Sequence, residues 1–146
     1  MKNYKKVLDK LSQYCDSNKK DWSMPKTDVV IFAEEDGSSP LIDWLDSLSP
    51  KAQDKCIVRV ERLAEKGYEL RRPEADFLRD GIYELRWKSE GVQFRVLYFF
   101  YKGKAVISHG LKKEAEVPPK EVDMAIRRRE MFEKDPNKHA YEGGLK

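Results

Sequence analysis

Three consecutive segments, 81–88, 92–101 and 104–109, are rich in aromatic and β-branched residues and are separated by short turns that contain Gly91 and Gly103. This spacing predicts three antiparallel strands joined as a meander. A short apolar run at 29–33 predicts one further strand. Because a small sheet has to bury an apolar face against other elements, the meander constrains where the remaining segments can pack.

Helix signals flank the meander. Ser39-Pro40 and Ser49-Pro50 each provide an N-cap serine followed by a proline suited to the first helical position. They predict a short helix over 41–48 and a longer helix that ends at Gly67.

A third proline signal follows the meander, because Pro118-Pro119 predicts a last helix that runs to about Glu133. The order strand, two helices, three strands, helix is typical of an α+β fold. We expect a small antiparallel sheet, made of the N-terminal strand and the meander, with the helices on one side.

The chain divides into three parts by composition. Residues 3–16 place apolar side chains at spacings of three and four, which predicts an amphipathic helix within an N-terminal helical extension over 1–26. The compact domain is expected over 27–134. The polar segment 135–146 is expected to be a flexible tail.

Composition excludes several classes of protein. Apolar residues make up 40% of the 146 residues and aromatic residues 11%, which favours a packed domain over a disordered chain. The longest apolar run, 96–101, is far too short to span a bilayer, and no signal-peptide pattern is present, so a cytoplasmic protein without a membrane partner is expected. No disulfide framework, metal-ligand spacing or cofactor motif is present, so no metal and no cofactor are expected.

Positive charge is concentrated in the predicted meander. Residues 81–113 contain seven Lys or Arg and two Asp or Glu, interleaved with aromatic side chains. This pattern is suited to an anionic polymer such as RNA. It is equally the pattern of a sheet with solvated lysines.

The strand alternation predicts which side chains share a face. With an even-numbered loop between the first two meander strands, Arg86 lies opposite Arg95, and Lys88 lies opposite Gln93. Two facing guanidinium groups repel each other, but together they can hold one phosphate. The alternative is that Glu84 bridges the two arginines and that the face is merely solvated.

The end of the third predicted strand carries further candidates. His109 can exchange protons near neutral pH, although a lone histidine is more often structural. Lys112 and Lys113 follow Gly110 in what we expect to be a loop. They can reach the same anion as the arginines or can simply be solvated.

The segment FLRDGIYELRWKSEGVQFRVLYFFYKGKAVISHGLKK, residues 77–113, resembles the central part of the RelE/HigB-type toxins, in particular their phage-derived HigB-like branch. The similarity runs from about Val29 to Glu133, and LRDGIYELR, FRVLYFF and HGLKKE are its most specific parts. The resemblance implies the RelE-like fold, a small antiparallel sheet with helices on one side.

The resemblance also implies a function. Many members of this family cut messenger RNA in the ribosomal A site, without a metal, through attack of a ribose 2′-oxygen on the neighbouring phosphate. By position, Arg86, Arg95 and Lys112 match basic residues of the family, and Glu84 stands where RelE itself has a lysine. Pro118 replaces the expected tyrosine, so Glu84 or His109 is the expected acid or base. Lys88, Gln93 and Lys113 are expected to contact RNA.

The implied partners are messenger RNA, the ribosome and a cognate helix-turn-helix antitoxin of the HigA-like kind, with operator DNA bound only through the antitoxin complex. The alternative is a degenerate toxin that blocks translation by binding RNA or the ribosome, or that acts only as an antitoxin-binding module. A structural phage protein is a third possibility.

Overall fold

The computed structural model describes residues 27–113 and 115–142. Within them, one sheet contains five strands: β1 (Val29–Ile31), β2 (Ala75–Arg79), β3 (Ile82–Ser89), β4 (Val92–Tyr101) and β5 (Lys104–Lys113). Their spatial order is β1–β5–β4–β3–β2. The helix predicted over 3–16 lies outside the described residues.

The predicted meander is confirmed, and it is longer than the sequence indicates. β2, β3, β4 and β5 are connected by three two-residue turns whose residues all have positive φ: Asp80-Gly81, Glu90-Gly91 and Lys102-Gly103. Such turns match the twist of antiparallel strands. β2 was not predicted, because it is a short edge strand with charged side chains.

The predicted antiparallel sheet is in fact a mixed sheet. β1 runs parallel to β5, whereas β2, β3, β4 and β5 pair antiparallel with their neighbours. A parallel pair needs a long connection, and the intervening helices and strands supply one.

Three helices flank the sheet in the described part of the chain: α1 (Pro40–Asp46), α2 (Pro50–Lys66) and α3 (Pro119–Lys134). The N-cap predictions are confirmed, since Ser39 Oγ accepts from the Ile42 N–H at 3.3 Å and Ser49 Oγ from the Ala52 N–H at 3.2 Å. The α+β class is likewise confirmed.

The expectation that all helices share one side of the sheet is wrong. α1 and α2 bury Leu45 and Val60 against one face, here called the first face, which carries Leu85, Val96 and Tyr98. α3 covers the opposite, second face, where its buried side chains pack on other strand residues: Val122, Ala125 and Phe132 on Ile82, Leu97 and Phe99. Leu97 and Phe99 point away from the first core because strand side chains alternate, and these apolar groups require a second cover.

Residues 135–142 of the predicted C-terminal tail make specific contacts with the rest of the domain. Ala140 forms a β-bridge with Phe32, and the Tyr141 N–H donates to the Ile31 carbonyl at 2.8 Å. His139 is buried and stacks on the Phe32 ring. The polar composition of this segment hides these contacts, which are made with a strand from the other end of the domain.

Among the described residues, no helix combines the length and the apolar character needed to cross a membrane.

Candidate functional site

The predicted pairing of the first two meander strands is confirmed. Arg86 of β3 lies opposite Arg95 of β4, and Lys88 lies opposite Gln93. Arg86 and Arg95, here called the arginine pair, share the second face of the sheet, close to the N-terminal end of α3. The sheet therefore places two guanidinium groups side by side.

Glu84 neutralises part of this charge. Its carboxylate lies 3.1 Å from Arg95 Nε and 3.7 Å from Arg86 Nε. Glu84 and Arg95 are only 5% and 3% exposed, respectively, so their ion pair is screened little by water. Glu84 therefore lies between the two arginines and pairs with both, as the alternative interpretation of the sequence expects.

The two arginines differ in how firmly they are held. Arg95 also donates to the Phe94 carbonyl at 2.9 Å and to Gln93 Oε1 at 3.0 Å. Arg86 keeps a quarter of its side chain exposed, and its second carboxylate, Asp76, lies 3.9 Å away. Arg86 is thus the arginine that an incoming anion can reach, while Arg95 is fixed beneath it.

Burial shifts the proton affinities of this cluster. It raises the pKa of the Glu84 carboxyl above its ordinary value, although the charges of Arg95 and Arg86 act in the opposite direction. Burial and the neighbouring charge of Arg95 lower the pKa of Lys113. A carboxylate with a raised pKa beside cations is a competent proton acceptor, and groups with shifted pKa values are concentrated in functional sites.

The cluster opens into a cavity of about 370 Å³, here called the main cavity, between the second face and the N-terminal end of α3. Five cationic and three acidic side chains line it: Arg72, Arg79, Arg86, Arg95 and Lys113, with Asp76, Glu84 and Glu116. Three of these cations are already closely paired: Arg95 with Glu84 at 3.1 Å, and Arg72 with Asp76 and Arg79 with Asp123, both at 2.8 Å. Arg86 and Lys113 are the cations best placed to meet a ligand.

The structure distinguishes the two lysines that the sequence could not separate. They belong to β5 rather than to a loop, with Lys113 opposite Gln93 and Lys112 opposite Phe94. Lys113 therefore lies on the face of the arginine pair, whereas Lys112 lies on the first face and does not line the main cavity. A bulge at Ser108 sets this alternation, since Leu97 pairs with His109 and Tyr98 with Ile107.

His109 lies on the same face, but both nitrogens of its ring form hydrogen bonds with residues other than the arginine pair. Its Nε2 is 2.9 Å from Glu121 Oε1, and its Nδ1 is 2.7 Å from Ser108 Oγ. It is buried beneath α3, and burial lowers its pKa despite the hydrogen bond to Glu121. His109 does not line the main cavity, so the structure does not bring it to the arginine pair.

Sequence reasoning missed the side chains that reach the site from outside the meander. Arg72 and Asp76 belong to the approach to β2 and to β2 itself, and both line the main cavity. Arg59 extends from α2 to the Arg86 carbonyl but does not line the main cavity. The one available signal was the Asp80-Gly81 dipeptide, which is typical of a hairpin turn and implies a strand before it.

The described residues give little support for metal-dependent chemistry or for a cysteine nucleophile. Across residues 27–113 and 115–142, no three His, Cys, Asp or Glu side chains are grouped to hold a metal ion. Cys56 is fully buried in the first core, where burial raises its pKa to about 12, so it is a core residue rather than a nucleophile.

Fold and cavity together define a small α+β protein with a basic site on one face of its sheet. Residues 43–130, more than half of the chain, match the family described as Phage derived protein Gp49-like (DUF891), and the chain belongs to this family. The matched segment begins in α1, ends in α3 and includes the arginine pair. No curated protein matches the chain.

Proposed function

We propose that this protein is the toxin of a bacterial toxin–antitoxin system and acts as a ribosome-associated endoribonuclease on messenger RNA. The observation that carries the proposal is the Glu84 carboxylate held between two guanidinium groups at the wall of a basic cavity. Membership of the Gp49-like family, which is associated with RelE-like and toxin-like proteins, supports it.

In the proposed reaction, the 2′-oxygen of a ribose attacks the adjacent phosphorus. The bond from phosphorus to the 5′-oxygen breaks, which leaves a 2′,3′-cyclic phosphate and a 5′-hydroxyl. Glu84 accepts the proton of the 2′-hydroxyl, and its raised pKa suits it to this role. The Lys113 ammonium group protonates the leaving 5′-oxygen, since it lies in the same cavity.

The arginine pair stabilises the charge that develops on the phosphate. Arg86 binds the phosphate directly, because it is the more exposed of the two, and Arg95 fixes Glu84. Preorganised cations at the reacting phosphate lower the barrier because they need no rearrangement as charge develops. His109 and Lys112 have no role in this proposal, in contrast to the expectation from the resemblance.

The test is cleavage of messenger RNA in a translation reaction, followed by mapping of the new 5′ ends. Arg86→Gln should lower the cleavage rate about a hundredfold or more, because one preorganised charged contact is lost. Arg127→Gln is the matched control, because Arg127 lies on the exposed side of α3. This variant should cleave messenger RNA at the wild-type rate. Equal cleavage by the two variants would remove Arg86 from the mechanism.

Neighbouring lysines provide a second comparison. Lys113→Gln should slow cleavage much more than Lys112→Gln, because the two side chains lie on opposite faces of β5. A larger effect of Lys112→Gln would favour Lys112 as the basic residue of the site, which is the assignment implied by the family resemblance.

The alternative is a protein that binds RNA or the ribosome without cleaving, or that only binds an antitoxin. The Glu84–Arg95 ion pair favours it, since Glu84 already occupies the place of an anion. Glu84→Gln separates the two possibilities. Under the proposal this variant keeps RNA binding and loses cleavage, whereas a non-catalytic inhibitor blocks translation equally well with either residue.

The proposal includes a partner, a helix-turn-helix antitoxin that covers the basic face and through which the complex binds operator DNA. Co-expression of the neighbouring reading frame should relieve growth inhibition. A failure of every neighbouring frame to do so would contradict this part of the proposal alone.

A further inference from the structure

A second cavity, here called the edge cavity, lies along the part of β3 that β2 does not cover. It has a volume of about 240 Å³ and shares the arginine pair with the main cavity. Its remaining charged lining residues are Arg59 and Lys88. All four charged side chains are therefore cationic, whereas three acidic side chains line the main cavity.

This difference in charge points to an anionic ligand. A concave surface lined by charge of one sign concentrates its field on a ligand of the opposite sign. No carboxylate lines the edge cavity, and Glu84, which pairs with Arg95 and Arg86, lines the main cavity instead. Gln93 adds a polar side chain, and its Oε1 is already bound by Arg95, so its position is fixed.

Arg59 is anchored in place by the backbone of the strand edge. Its Nε donates to the Arg86 carbonyl at 2.6 Å, and Lys55 Nζ similarly donates to the Lys88 carbonyl at 3.0 Å. These bonds satisfy acceptors on a strand edge that has no neighbouring strand. They also hold the Arg59 guanidinium beside Arg86.

The charge of Arg59 is only weakly engaged within the protein. Its Nη1 lies 3.9 Å from Glu74 Oε2. Glu74 is held more closely by Arg62, at 2.8 and 3.2 Å. Arg59 therefore retains donors for a ligand in the edge cavity.

We propose that the edge cavity is a second phosphate subsite, which binds the internucleotide phosphate next to the one held in the main cavity. This inference rests on the proposed function, since it extends the same RNA ligand by one nucleotide. Because Arg86 lines both cavities, a single strand that passes from one to the other crosses the arginine pair. The smallest ligand that fills both subsites is a trinucleotide.

Binding of short RNAs whose 2′-oxygens are methylated tests this subsite without cleavage. We expect the wild-type chain to bind a trinucleotide, which has two phosphates, about tenfold more tightly than a dinucleotide, which has one, as measured by calorimetry. A trinucleotide with one uncharged methylphosphonate linkage should lose this gain. The slope of log K against log salt should be steeper by about 0.7 for the trinucleotide than for the dinucleotide.

Variants assign the gain to the edge cavity. Arg59→Gln should abolish the preference for the trinucleotide and leave dinucleotide affinity unchanged. Lys51→Gln removes a positive charge from an exposed position in the first turn of α2, outside the cavity, and should keep the preference. Lys88→Gln, at an exposed position, should reduce the preference as well.

The outcomes separate this inference from the proposed function. The inference fails if the wild-type chain binds the dinucleotide but gains no affinity from the second phosphate. It also fails if both Arg59→Gln and Lys88→Gln keep the gain. Either result leaves the proposed RNA binding in the main cavity unaffected. If neither oligonucleotide binds, the RNA-binding function fails with it.

Discussion

At the scale of single residues, the contact between Glu84 and Arg95 belongs to the proposed site and to the folded core at once. Both side chains are almost fully buried, and each is the other's nearest opposite charge. Loss of one partner of such a pair leaves an uncompensated buried charge, which costs about 3–5 kcal/mol. A loss of activity on mutation of Arg95 therefore needs a parallel measurement of stability.

We predict that Arg95→Ala lowers the free energy of unfolding by about 3–5 kcal/mol, measured by urea denaturation. Arg127→Ala, at an exposed position, should change it by less than about 0.5 kcal/mol. The double variant Glu84→Leu with Arg95→Met should recover most of the loss, because no unpaired charge remains. Equal stability of Arg95→Ala and Arg127→Ala would contradict the buried ion pair.

His109 gives stability a dependence on pH. Burial lowers its pKa below the ordinary value of about 6.5, so the folded protein binds its proton less readily than the unfolded chain does. As pH falls below about 6.5, the unfolded chain takes up this proton first, and the free energy of unfolding declines.

We predict that His109→Gln makes the decline between about pH 7 and pH 5 shallower, measured by denaturation at a series of pH values. His139→Gln is a useful comparison, since it removes the same group from a different part of the domain. If the wild-type and His109→Gln curves run parallel throughout this window, the lowered pKa of His109 is refuted.

At the scale of elements, three two-residue turns fix the register of the four antiparallel strands. Glu90 and Gly91 have φ values of 52° and 81°, which place both residues in the left-handed region. This geometry is the type I′ turn that suits a tight hairpin. It also holds Arg86 opposite Arg95, because a slip by one residue would turn one of the two arginines to the first face.

We predict that Gly91→Ala destabilises the protein by about 1 kcal/mol, measured by thermal or urea denaturation. A Cβ at this position meets nothing within 4 Å, so the cost comes from the backbone alone. Gly91→Asn should cost less, because asparagine tolerates the left-handed region. Identical stabilities of the two variants would argue against the left-handed conformation of Gly91.

At the scale of the whole molecule, the segment that follows the last helix packs against residues near the first strand. The segment after α3 returns to β1, where His139 Nδ1 is 2.8 Å from the Ala33 carbonyl and the imidazole ring stacks on Phe32 at 5.1 Å. This contact joins the two ends of the domain and covers part of the second core.

We predict that His139→Ala lowers the free energy of unfolding by about 1–3 kcal/mol, because a buried carbonyl loses its partner. Lys138→Ala should be nearly neutral, since its ion pair with Glu35 is exposed and 3.8 Å long. Chemical denaturation of both variants is the measurement. A neutral His139→Ala would indicate that the C-terminal segment adds nothing to stability.

The residue pattern alone determined the α+β class, the meander and the position of Arg86 opposite Arg95. These features follow from local rules: alternation of side chains along a strand, the parity of a short turn, and serine–proline starts of helices. The facing of Lys88 and Gln93 follows in the same way, because it depends only on residues close in sequence.

Only the tertiary structure decided what surrounds the arginine pair. The bulge at Ser108 turned Lys113 rather than Lys112 toward it, and the packing of α3 on the second face enclosed His109 with Glu121. Arg59 reached the edge cavity from α2, far away in sequence. The physical reason is that burial and charge pairing depend on contacts between distant segments, whereas register depends on neighbours along the chain.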